Sequence, residues 1–206
     1  MASNTSNTLD SETIRAMRYL RKDVGVAVVA ALSLVIGFLL FRYADGQTIP
    51  FAPQDTPLRL SYPAGWVSTQ SLLEQPLLKV EDPTTPSAFK SSLTVDNREL
   101  DLTAPPTIQQ LLDQRVEQRG KLTGYHFLGN KETTVAGEKA MQYDYAYVVQ
   151  PIDQPRRAFT PVVVIAREYI AVTKDRVYYI TLAVPEADQN RLDAKFDQII
   201  NSVRFQ

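Results

Sequence analysis

Cysteine is absent from all 206 residues, and histidine occurs once, as His126. The first absence removes disulfides, thiolate metal sites, covalent haem attachment and cysteine nucleophiles together. The second leaves no way to build a histidine-based catalytic triad or a multi-histidine metal site within one chain. Glycine-rich phosphate loops are also missing; Gly120 and Gly124 stand alone as turn residues. Acid pairs such as Glu81-Asp82 and Asp188/Asp193 lack the clustered oxygen pattern of a calcium loop. Nor is there an excess of one charge, with 22 Lys and Arg against 23 Asp and Glu. Nucleic-acid affinity rests on neutralising phosphates, so that partner class is excluded. The expectation is a non-enzyme with no cofactor, no metal and no catalytic residues.

What is present is unevenly distributed. Residues 1–44 carry five Lys or Arg against three acids, residues 45–206 seventeen against twenty, and all 13 prolines follow residue 49. Val24 to Phe41 reads VGVAVVAALSLVIGFLLF, without a charge. As a helix it covers about 27 Å, close to the hydrocarbon thickness of a bilayer. Tyr19 and Tyr43 bracket it at headgroup level. A cleaved signal peptide would need a shorter apolar run and a small residue where Arg42 stands. The run is therefore expected to be a retained transmembrane helix over 24–43. Arg15, Arg18, Arg21 and Lys22 on one side, against Arg42 on the other, put the N-terminus in the cytoplasm of a bacterial cell. Ser33 and Gly37 form a small-xxx-small pair suited to close approach of another helix. Residues 1–23 are expected as a cytoplasmic tail, ending in a short basic helix through Ile14, Met17 and Leu20.

Residues 44–56, with two prolines and no periodicity, read as a linker to a periplasmic domain over 57–206. Leu58–Tyr62 alternates as a strand, Pro63-Ala64-Gly65 turns the chain, and Leu77–Glu81 and Ser92–Asp96 are further strands. A helix is expected from Pro106 to Arg119, with Ile108, Leu111, Leu112 and Val116 on one face and Gly120 as its stop. Two hairpins follow, Tyr125–Gln150 and Val162–Val184, separated by the proline-rich 151–161. Along the first, Met141, Tyr143, Tyr145 and Tyr147 share a face. A last helix over Glu186–Asn201 presents Leu192, Phe196, Ile199 and Ile200 as one stripe, with Glu186 and Asp188 at its positive end. The fold class is α+β, an antiparallel sheet sandwiched by helices.

An opening strand ending in Tyr62-Pro63-x-Gly65-Trp66, two hairpins after an amphipathic helix, and the close Phe196-x-x-Ile199-x-x-Ser202-Val203-x-Phe205 form a pattern. It resembles the PsbP-like superfamily, the fold of extrinsic photosystem II PsbP and the Ran-binding Mog protein. The resemblance covers about residues 57–206. It implies a non-catalytic α/β/α sandwich used for docking or for stabilising larger assemblies, and it carries over no site residue.

Arg156, Arg157 and Phe159 in the proline-rich connection are the candidate contact, because arginine and aromatics are enriched at interfaces. Ser33 and Gly37 are the candidates within the span. Tyr143, Tyr145 and Tyr147 either pack under a helix or line a ligand groove, and Trp66 is expected as a core anchor. His126 reads as structural. The functional expectation is a single-span accessory subunit that docks to integral membrane subunits of a photosynthetic or respiratory electron-transfer complex. The alternative is an independent anchored module binding an apolar ligand or an exported peptide at the tyrosine face.

Overall fold

The computed structural model describes residues 24–40, 43, 46–69, 75–150 and 160–205, with 191–193 in backbone only. It falls into two compact units, Met1–Gln47 and Thr48–Gln206. In the first, residues 24–40 form helix α1. Its apolar side chains are uncovered, Leu34 at 75% and Phe38 at 61% exposure among them. The Ser33 hydroxyl donates to the Val29 carbonyl at 2.9 Å, and a side chain at Gly37 would meet nothing within 4 Å. Among the described residues no helix is long and apolar enough to cross a membrane. An apolar helix therefore stands where a span was expected, and crossing is not shown.

The second unit is mixed α and β. Strands β1 (Thr48–Phe51), β2 (Leu58–Pro63), β3 (Val67–Ser68), β4 (Leu78–Glu81) and β5 (Ser92–Glu99) precede helix α2 (Ile108–Arg119). Strands β6 (His126–Val135), β7 (Glu138–Val149), β8 (Val162–Val172) and β9 (Arg176–Pro185) lead into helix α3 (Gln189–Ser202) and a short β10 (Arg204–Phe205). Seven strands form one sheet in the order β3-β4-β5-β9-β8-β7-β6, and β1-β2-β10 form a small second sheet. Every pairing within them is antiparallel.

Strand β1 lies inside the stretch expected as linker. Pro50 breaks any strand signal there, yet proline is tolerated on an edge, and among the described residues β1 pairs with β2 alone. Helix α2 begins two residues later than expected. Thr107 caps it, its hydroxyl accepting from the Gln110 amide while the Gln110 side chain accepts from the Thr107 amide. The prolines 105 and 106 thus precede the helix. The first hairpin turns on two residues, Ala136 at φ 51° and Gly137 at φ 86°, the left-handed pair that suits a tight right-twisted hairpin.

Alternation along β9 sends Tyr178, Ile180, Leu182 and Val184 to one face of the sheet and Val177, Tyr179 and Ala183 to the other. Phe196 and Ile199 of α3 fill the first face, and Leu111 and Leu112 of α2 fill the second. Burying such side chains fully contributes about 1.5–3 kcal/mol each. Trp66 is buried as expected, after a turn closed by its amide on the Pro63 carbonyl at 3.0 Å. The Ser202 hydroxyl joins the helix end to β2, accepting from the Ser61 amide at 2.8 Å and donating to the Ile199 carbonyl at 2.6 Å.

Candidate functional site

Cross-strand pairing sets a polar row beneath α2. Asn130 faces Tyr143, Tyr143 faces Glu168, Glu168 faces Thr181, and Thr181 faces Thr94. Directly opposed residues project from the same side of a sheet, so the row runs across five strands. At its centre Glu168 is fully buried. An isolated buried carboxylate would be prohibitive, so it must be paired and hydrogen-bonded. Helix α2 supplies the partners from one face, one turn apart. Arg115 Nε donates to Glu168 Oε1 at 2.5 Å, and Arg119 Nη2 to Oε2 at 3.2 Å. The Thr181 hydroxyl adds a third bond to Oε2 at 3.0 Å.

Both arginines are largely buried, with side chains 13% and 25% exposed. Arg115 also lies over the Tyr179 ring, 4.2 Å from its centre, and donates to the Gln118 side chain at 3.1 Å. Burial alone would lower the affinity of each guanidinium for its proton. The Glu168 carboxylate outweighs that and holds both above the ordinary arginine range. Donors still outnumber acceptors. Arg115 Nη2, Arg119 Nε and the hydroxyls of Tyr125 and Tyr143 are buried without a hydrogen-bond partner among the described residues.

Burial raises the phenols of the tyrosine row too. Tyr147 is pushed up to about 12, against the pull of Arg119, and Tyr143 and Tyr145 go higher. Tyr143 and Tyr145 stack 5.1 Å apart, and Tyr145 and Tyr147 5.9 Å apart. The first two are buried in one cluster with Leu111 and Leu112 of α2. Among the described residues Tyr143 and Tyr145 are therefore packed under α2, as the core reading of these tyrosines expected.

An opening does exist beside it. A polar cleft of about 310 Å³ runs along α2, with Arg98, Arg115 and Arg119 on its walls, the amides of Gln114 and Gln118 at its side, and Tyr179 behind. On the opposite face a recess of only about 120 Å³ sits near Phe196, Asp144 and Arg167. A shallow depression of about 560 Å³ follows the Ala52–Pro57 loop.

Of the expected site residues, Arg156, Arg157 and Phe159 lie outside the described residues. Ser33 and Gly37 sit on α1, in the other unit. His126 is exposed at the start of edge strand β6, and among the described residues no group of three His, Cys, Asp or Glu is placed to hold a metal. The Glu168–Arg115–Arg119 cluster was missed, although its signal was present. The α2-facing positions of β8 read Val162, Val164, Ala166, Glu168, Ile170 and Val172, one acid in an otherwise apolar alternation. Arginines at the spacing of one helical turn stood ready to match it.

No protein-family model and no curated protein matches the sequence. Solved structures do. Cyanobacterial PsbP (CyanoP) from Synechocystis sp. PCC 6803 superposes with a TM-score of 0.55 at 12% identity, over 77% of this chain and 92% of that one. LpqN, involved in cell envelope biogenesis of Mycobacterium tuberculosis, gives 0.54 at 12% identity over 77% and 90%. The Ran-binding protein Mog1p of Saccharomyces cerevisiae gives 0.46 at 12% identity over 77% and 95%. The chain thus shares a PsbP-like fold, as the sequence resemblance implied.

Proposed function

We propose that this chain is a non-enzymatic accessory subunit, anchored in a bacterial cell membrane by α1 and docked through its folded unit to integral subunits of a larger complex. The observation that carries the reading is the uncovered apolar surface of α1. A helix apolar on every side is stable only where lipid or other helices cover it. The extension of the apolar sequence through Phe41, with basic residues concentrated before it, supports a single span with the N-terminus inside. The sequence resemblance to the PsbP-like superfamily, which implies docking, supports the reading, and the fold is shared with CyanoP and LpqN. Electron-transfer complexes, photosynthetic or respiratory, are the first partners to test.

Purification of the intact chain in a mild detergent, followed by native electrophoresis and identification of what migrates with it, tests the proposal. Reproducible co-migration with integral membrane subunits is expected. A monomer that carries no membrane subunit would end the accessory-subunit reading, and release from membranes by alkaline carbonate would end the span.

A further inference from the structure

We infer that the cleft along α2 is a binding site for a carboxylate group carried on a polar molecule. The inference is independent of the docking proposal. Three arginines, 98, 115 and 119, line the cleft, against Asp96 on its wall and Glu168 beneath it. Among the described residues that leaves one positive charge in excess, which matches a single carboxylate better than a doubly charged phosphate.

Hydrogen-bonding capacity points the same way. Each guanidinium offers five N–H donors. Glu168 takes one from Arg115 and one from Arg119, and Gln118 takes one more, so each guanidinium keeps further N–H groups to offer. Glu168 takes only these two and one more from the Thr181 hydroxyl, fewer than the two guanidiniums can give. Its role is to fix the two guanidiniums in place before a ligand arrives, which lowers the entropic cost of binding.

The surroundings define the rest of the ligand. Gln114, Gln118 and Asn97 present amides at the cleft, and Tyr179 is the one aromatic wall, already covered by Arg115. Little apolar surface is available, so the body of the ligand must be polar. A volume of about 310 Å³ suits something of the size of one amino acid. Arg98 stands exposed at the mouth, so that it meets the ligand without holding the core.

The test is a titration of the ¹⁵N-labelled full chain in a neutral detergent, followed by NMR at the side-chain amides of Gln114 and Gln118 and the Nε of the arginines. Four probes are used: N-acetylglutamate α-amide, gluconate, N-acetylglutaminamide and inorganic phosphate. Saturable millimolar shifts are expected with the two carboxylates and none with the neutral glutamine analogue. The tighter of the two tells whether the natural source is an acidic protein side chain or a free polar acid. Arg98→Gln is expected to weaken carboxylate binding about tenfold, with the backbone spectrum otherwise kept. The inference is overturned by equal binding of the neutral analogue, by tighter binding of phosphate, by undiminished affinity in Arg98→Gln, or by no saturable shift at all.

Discussion

The two faces of the seven-stranded sheet are covered by helices of similar length but held by different chemistry. On one, α3 adds Phe196 and Ile199 to an apolar cluster with Ile180, Leu182 and Leu93. On the other, α2 buries Leu111 and Leu112 but also clamps a fully buried carboxylate between two arginines. Apolar packing is non-directional and rewards area. A guanidinium–carboxylate pair is directional and accepts a narrow set of geometries. The contrast teaches where position is specified: α3 supplies cohesion, and α2 is fixed at one depth and rotation so that its arginines meet Glu168.

Glu168→Ala breaks the contrast most severely. It leaves two mostly buried guanidiniums unpaired and should cost about 3–5 kcal/mol in urea unfolding. Replacing the trio together, as Glu168→Leu with Arg115→Met and Arg119→Leu, should recover most of that loss, because the desolvation cost leaves with the charges. If the single variant were as stable as the parent, the clamp would be incidental.

A smaller effect comes from alkali. Unfolded tyrosines lose their protons near pH 10 (roughly), whereas burial holds folded Tyr147 up to about 12 and Tyr143 and Tyr145 higher. A raised folded pKa means that the contribution is fully present below the unfolded value and is lost as pH climbs through the folded one. The melting temperature should therefore fall from about pH 10 upward. Phenolate absorbance at a wavelength that reports tyrosinate should lag until the protein unfolds. Tyr143→Phe removes one of these groups together with a buried hydroxyl that has no partner among the described residues, so it should blunt the alkaline loss without destabilising the protein at neutral pH.

The mildest change tests the hydrocarbon face. Ile199→Val removes one buried methylene and should cost about 0.5–1.5 kcal/mol, equally at low and high salt. A salt-dependent cost there would mean that the two faces are less distinct than their contacts indicate.

Periodicity made the large elements legible. Met141, Tyr143, Tyr145 and Tyr147 announced a strand, and Ile108, Leu111, Leu112 and Val116 announced a helix, because each pattern repeats long enough to exclude the other. Strands β1 and β10 were not legible. The first contains Pro50 and the second is two residues long, so both exist only because β2 offers them hydrogen bonds. The start of α2 was misplaced by favouring proline in the first turn, where the Thr107–Gln110 capping box decides it. The arginine cleft was hidden for a different reason. Its walls come from β5, α2 and β9, which only the tertiary fold brings together. Within one strand, Glu168 was readable as an anomaly but not as a partner of Arg115 and Arg119, 53 and 49 positions away.

The Ser61–Ser202 clasp has a consequence for how the protein is made. It joins positions 141 residues apart, and β10 adds Arg204 and Phe205 to the far edge of the same strand. Strand β2 is translated early, yet its second neighbour cannot reach it until Phe205 has left the ribosomal tunnel. During synthesis one side of β2 therefore stays open while the hairpins form, a ready template for wrong pairing. Any truncation that removes Ser202 to Phe205 leaves that edge unpaired in the finished molecule, turning a brief hazard of translation into a permanent one.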